Sequence, residues 1–152
     1  MMKLEAMPST KEMTRLVDGL TNNDTKDEDL PHNPNRDALK IYVAGPYSVK
    51  DVATHDVPRA VYNNVRKAIR AGHDIISRGH YPYVPHLSHF MHLESDVDLG
   101  VWYYEWDNAF LDVCDALLYL APSNGADNEL NRAMANKMTV FYSVNDIPLI
   151  RR

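Results

Sequence analysis

A single cysteine, Cys114, stands in the 152 residues, so no internal disulfide can form and packing alone must hold the fold. Long apolar runs are missing too. None approaches membrane-spanning length, and no membrane partner is expected. Basic residues are outnumbered, 16 Lys and Arg against 21 Asp and Glu, for a formal net charge of −5. A protein that coats a nucleic-acid polymer draws its affinity from clustered Lys and Arg, so that class is set aside, whereas a mononucleotide ligand is not. The first residues lack the basic-then-apolar order of a signal peptide, which with the scarce cysteine sets the expectation of a cytoplasmic protein. Internal repeats are absent as well.

What is present is ordinary globular material, 45% hydrophobic and 24% charged. A chain of this length buries roughly two-thirds of the surface its unfolded form exposes, enough for one domain without staples. Residues 1–38 are polar, with Asn22-Asn23-Asp24 and Pro31-His32-Asn33-Pro34 toward their end, and read as a linker or tail with room for one short helix near Lys11–Leu20. The domain proper is 39–152.

Within it, Leu39–Ala44 is a β-rich apolar run that stops at Gly45-Pro46. Val61, Val65, Ala68, Ile69, Ile75 and Ile76 recur at helical spacing between Pro58 and Ser77, and Gly79 suits the helix end. Tyr81–Val84 reads as a short strand that its prolines push to an edge. Pro85–Gly100 reads as a long loop over the site. A second amphipathic helix runs over Val101–Val113, with Cys114 on its apolar face as a buried, inert thiol. Ala116–Leu120 reads as a fully buried strand, Asp127–Lys137 as a third helix and Thr139–Ser143 as a closing strand. Such alternation predicts an α/β fold, a flavodoxin-like three-layer sandwich with a small parallel sheet and right-handed crossovers.

In that topology ligands sit beyond the carboxyl ends of the strands, which draws together Ala44–Ser48, Pro85–His92 and Ser123–Glu129. Glu129 is the central candidate, a carboxylate just inside a helix whose N-terminus and Gly125 offer backbone N–H groups. Asp107 is a second carboxylate able to face it. Two carboxylates in unlike environments can divide labour, one ionised and nucleophilic, the other with a raised pKa and able to donate a proton, as in retaining glycosidases. His86, His89 and His92 recur every three residues and invite a zinc reading, but that spacing drifts around a helix axis and no thiolate joins them. His86 and His89 are therefore expected as polar contacts to the ligand. Trp102, Tyr103, Tyr104 and Trp106 could stack on a base, and at least two of them are expected at a subunit interface.

Three segments carry a resemblance: Ile41-Tyr42-Val43-Ala44-Gly45-Pro46-Tyr47, then Asp107 with Cys114-Asp115-Ala116, then Ser123-x-Gly125-x-x-x-Glu129-Leu130-x-x-Ala133. From Lys40 to about Ser143 the chain resembles the nucleoside 2-deoxyribosyltransferase superfamily, which also contains deoxynucleoside 5′-monophosphate N-glycosidases and pyrimidine nucleotide hydrolases. The resemblance implies that Glu129 attacks the anomeric carbon to form a covalent glycosyl–enzyme intermediate. It implies that Tyr42 orients Glu129, that Asp107 protonates or holds the departing base, and that Tyr47 lines the base pocket beside Gly45. Asp115 matches a motif position with a structural part. Ser123 stands where transferases of free nucleosides tend to carry aspartate and monophosphate hydrolases carry serine. Asn131, in place of the glycine of many members, and the histidine-rich loop depart from the commonest pattern.

The expected function is cleavage of the N-glycosidic bond of a nucleoside or its 5′-monophosphate, resolved by water or by a second base. No metal or organic cofactor is required for this chemistry, since a carboxylate can balance the oxocarbenium charge. A homodimer or higher homo-oligomer is expected from the family's habit of closing one site with a neighbour. The competing class is a module that binds and senses nucleotides without turning them over.

Overall fold

The computed structural model describes residues 37–50, 52–94 and 100–150, without the side chains of residues 100–102. The polar extension and its expected short helix lie outside the described residues. Four short strands, β1 (Lys40–Ala44), β2 (Tyr81–Tyr83), β3 (Ala116–Tyr119) and β4 (Thr139–Phe141), pair in parallel in the order β2-β1-β3-β4. Helix α1 (Val57–Ser77) connects β1 to β2, α2 (Ser88–Leu93) and α3 (Gly100–Leu111) lie between β2 and β3, and α4 (Asn124–Ala135) leads into β4. The chain is an α/β protein with an all-parallel sheet flanked by helices, arranged as a flavodoxin-like three-layer sandwich.

Strand alternation builds the two cores. Successive side chains of β1 point to opposite faces. Ile41 and Val43 pack with Ala116 and Leu118 of β3 against Ala68, Ala71 and Ile75 of α1. Tyr42 and Ala44 pack with Leu117 against Leu111 of α3 and Ala126 and Ala133 of α4. Covered on both faces, β1 has to be apolar at consecutive positions, which explains its run of four buried residues. Gly72 lets α1 approach β2: a Cβ there would meet a Val84 methyl at 2.8 Å. Among the described residues no helix is long and apolar enough to cross a membrane.

Three expectations change. Much of the anticipated loop is helical, a 3-10 turn at Pro85–Leu87 followed by α2; residues 95–99 lie outside the described residues. Helix α4 starts at Asn124 rather than Asp127, because Ser123 is extended and its Oγ accepts a hydrogen bond from the Ala126 N–H at 3.1 Å. Cys114 lies past the end of α3, in the turn before β3 and half-buried, where burial pushes its thiol up to about 11 and keeps it protonated.

Helices α1 and α4 end in the same way. At α1 the His80 N–H bonds the Ile75 carbonyl and the Gly79 N–H the Ile76 carbonyl; at α4 Met138 bonds Ala133 and Lys137 bonds Met134. This double closure needs a left-handed residue, supplied by Gly79 (φ 91°) and by Lys137 (φ 58°). A Cβ at Gly79 would also fall 2.8 Å from the Ile150 carbonyl oxygen. Gly79→Ala should therefore destabilise by roughly 1–3 kcal/mol. Lys137→Gly should stabilise by roughly 0.5–1 kcal/mol, since relief of left-handed strain exceeds glycine's added chain entropy. Urea midpoints at unchanged slope check both, and a fall for Lys137→Gly would contradict the cap.

Candidate active site

The connection from β1 runs to β2 on one side and the chain then returns to β3 on the other, so a crevice opens at the carboxyl ends of β1 and β3. Glu129 enters it from α4. Its helical neighbours on the sheet side are Ala126 and Ala133, both buried, and these small residues let α4 lie close enough to bring a carboxylate onto the sheet. The Arg132 guanidinium forks onto Asp112 at 2.7 and 2.6 Å, and Asn136 adds a third bond at 3.1 Å, tying α4 to the end of α3.

Two tyrosines stand side by side beneath the crevice. The register pairs Tyr42 of β1 with Tyr83 of β2, which turns both to the same face with ring centroids 5.4 Å apart. The Tyr42 hydroxyl donates to Glu129 Oε1 at 2.7 Å, and the Tyr83 hydroxyl donates to Asp107 Oδ1 at a looser 3.3 Å. Each carboxylate thus has its own phenol. Burial raises Glu129 to about 7, with the Tyr42 hydrogen bond pulling down and the Asp107 charge pushing up. Burial likewise raises Asp107 to about 6, opposed by the bond from Tyr83. In both cases desolvation outweighs the hydrogen bond. Tyr42 is pushed far above its ordinary value by burial and by Glu129, so it stays a donor throughout.

A cavity of about 320 Å³ opens from this pair, within the range of small-molecule sites. Of the residues expected there, Glu129, Asp107, Tyr47, His86, His89 and Gly125 line it. Tyr42 acts from behind Glu129. Gly45 and Ser123 are not in the lining. A Cβ at Gly45 would meet Leu120 at 3.2 Å, so the glycine serves close packing at the end of β1, and the Ser123 oxygen caps α4. Among the described residues nothing lies within 4 Å of where a Cβ at Gly125 would sit, which leaves the first turn of α4 open to them.

The histidines separate. His80 is buried at the far end, its Nδ1 accepting from Leu39 N–H and its Nε2 donating to the Pro148 carbonyl. His89 shares a 2.8 Å hydrogen bond with the Tyr47 hydroxyl. His86 is 6% exposed and its Nε2 bonds the Pro46 carbonyl at 3.1 Å; since a carbonyl only accepts, that nitrogen carries the proton. Burial lowers the His86 pKa, opposed by the Pro46 and Gly45 carbonyls, and the ring is neutral. Its Nδ1 and the Tyr103 hydroxyl are buried without hydrogen-bond partners among the described residues.

Sequence reasoning missed Tyr83; of the four aromatics at 102–106, Tyr103 and Tyr104 line the cavity. Tyr103 and Asp107 are four residues apart, a spacing that puts them on one helix face, and this signal was readable. Nothing in the sequence gives the register that sets Tyr83 beside Tyr42. Asp115 sits at the opposite end of the sheet, accepting from Lys40 N–H at 2.8 Å, a structural position. No family model matches this chain, and no curated protein does.

Because the folded-state pKa of Glu129 lies above that of a free carboxylate, its ionisation opposes folding. The difference is absent below about pH 4.5, grows as pH rises and levels off above about 7. Glu129→Gln, which keeps an oxygen for Tyr42, should match the wild type in stability at pH 4 and exceed it by roughly 2–3 kcal/mol at pH 8. Thermal unfolding at the two pH values checks this, and equal midpoints at pH 8 would mean the carboxylate is well solvated.

Proposed function

We propose that the chain cleaves the N-glycosidic bond of a nucleoside or nucleoside 5′-monophosphate, with Glu129 as nucleophile and Asp107 as proton donor to the departing base. The observation that carries the reading is the Tyr42–Glu129 hydrogen bond at the back of a cavity that both Glu129 and Asp107 line. Tyr42 occupies Glu129 Oε1 and leaves Oε2 to attack C1′. The C1′–N bond breaks, its electron pair goes to the base nitrogen, and Asp107 supplies the proton. Water then attacks C1′, returning its proton to Asp107 and freeing Glu129, while a second base in place of water gives transfer.

Aromatic walls at Tyr47, Tyr103 and Tyr104 suit a planar ring, and the unpaired His86 Nδ1 and Tyr103 hydroxyl suit its polar edge. The likeness of the Tyr42, Asp107 and Ser123–Glu129 segments to the nucleoside 2-deoxyribosyltransferase superfamily supports the same chemistry. A cytoplasmic setting and a homo-oligomer belong to this reading, and no cofactor is needed for it.

One proton serves both carboxylates. Burial places it on Glu129 more than on Asp107, and positive charge developing at C1′ reverses that preference by favouring ionised Glu129. The working form has one proton on the pair, so kcat/KM should fall below about pH 6, where both are protonated, and above about pH 7, where both are ionised. Asp107→Asn should remove the alkaline limb and lower the acid one. A profile flat from pH 5 to 8 would contradict the pairing.

The direct test is chromatography of free base released from ribo- and deoxynucleosides and their 5′-monophosphates, with and without an acceptor base. Glu129→Ala should lose at least about 1,000-fold. Binding without any release would instead favour a sensing module.

A further inference from the structure

We propose that Tyr83 is a positioning residue for departure of the base: by donating to Asp107 Oδ1, its hydroxyl turns that carboxyl so that Oδ2 carries the proton toward the leaving nitrogen. The inference rests on the glycosidase reading above and assigns a residue that no sequence motif marks.

The geometry has three parts. Asp107 projects from α3, and the one hydrogen bond that fixes its carboxyl among the described residues comes from Tyr83 on β2, at 3.3 Å. The Tyr83 ring is itself held on both sides. It stacks on Phe110 of α3 with centroids 4.6 Å apart and planes at 8°, and it lies against Tyr42 at 5.4 Å. The phenol therefore has little freedom, and the direction of its O–H is set by the sheet and α3 together. Burial and the neighbouring Asp107 raise the Tyr83 pKa well above that of a free phenol, so the hydroxyl is a donor at every working pH.

A carboxylic acid that accepts at one oxygen keeps its proton on the other. With Oδ1 engaged by Tyr83, the proton of Asp107 resides on Oδ2. In the bond-breaking step Glu129 Oε2 donates its electron pair to C1′, the C1′–N pair passes to the base, and the Oδ2 proton follows it, leaving Asp107 ionised and the base neutral. The looser contact at Asp107, against 2.7 Å at Glu129, fits a carboxyl that must change protonation state during the reaction.

The test compares bases that need a proton to leave with bases that leave readily without one. Adenine, guanine, cytosine and uracil nucleosides and 5′-monophosphates, ribo and deoxy, are each paired with a counterpart carrying a better leaving group, N7-methyl for purines and 5-fluoro for pyrimidines. Tyr83→Phe keeps the ring stack and removes only the hydroxyl. On ordinary bases kcat should fall roughly 10- to 100-fold, the effect of one hydrogen bond to an ionisable group, while the activated counterparts change less than about threefold. Asp107→Asn should show the same pattern more steeply. An equal loss on both members of every pair would mean structural damage and overturn the assignment, as would no loss on either. Release of no base by the wild type from any substrate would overturn the glycosidase reading itself and the inference with it.

Discussion

A carboxylate that is mostly out of water and held there by one phenol is an uncomfortable object, and the Tyr42–Glu129 contact organises what surrounds it. Desolvation raises Glu129 to about 7 even with Tyr42 donating at 2.7 Å, so the hydrogen bond reduces the penalty of burial without cancelling it. For the contact to exist, α4 must lie almost on the sheet, which the alanines on either side of Glu129 permit. The start of α4 must be fixed by the Ser123 cap, and its end by the Arg132–Asp112 fork. Tyr42 must come from the central strand, where pairing on both edges leaves its backbone no freedom. Stability is given up locally and recovered from the two cores around β1, a pattern expected where a site is held ready for chemistry.

The second phenol and the second carboxylate repeat the arrangement one strand over. Parallel pairing of β1 with β2 sets Tyr42 and Tyr83 side by side, and the helices above them carry Glu129 and Asp107. Because burial raises both carboxylates and Glu129 also feels the charge of Asp107, the two lose their protons one after the other around neutrality. A nucleophile and an acid that share a proton can exchange roles as charge develops on a substrate, which a lone carboxylate cannot do. Burial alone favours the proton on Glu129, so the division proposed for the reaction, Glu129 ionised and Asp107 protonated, requires the charge that would develop on a bound substrate.

The segment from Pro85 to Leu93 shows how a loop assignment can miss structure that matters. Its histidines recur every three residues, a spacing that drifts around a helix axis, yet it folds into a 3-10 turn and a short helix that wall the cavity. Short helices are decided by what they pack against, since six residues are too few for helix propensity to nucleate alone. His86 and His89 follow β2 and line the cavity, but their bonding could not be anticipated. His86 is tied to a carbonyl of the β1 loop and His89 to a phenol of the same loop, contacts across 40 and 42 residues of chain.

Local chemistry determined a good deal of this protein. The alternation of apolar strands and amphipathic helices sufficed for an α/β sandwich with a parallel sheet, Gly79 marked the end of the first helix, and the Ser123–Glu129 stretch marked a helix start carrying a carboxylate toward the strand ends. These features are legible because periodicity, caps and turns are set by residues close in the chain. Strand order, the register that seats Tyr83 next to Tyr42, the withdrawal of Gly45 and Ser123 from the cavity lining, and the pairing of each carboxylate with one phenol were decided only by tertiary structure. Register depends on how whole faces interlock, and a pKa depends on how much water the assembled walls exclude; neither quantity exists until distant segments meet.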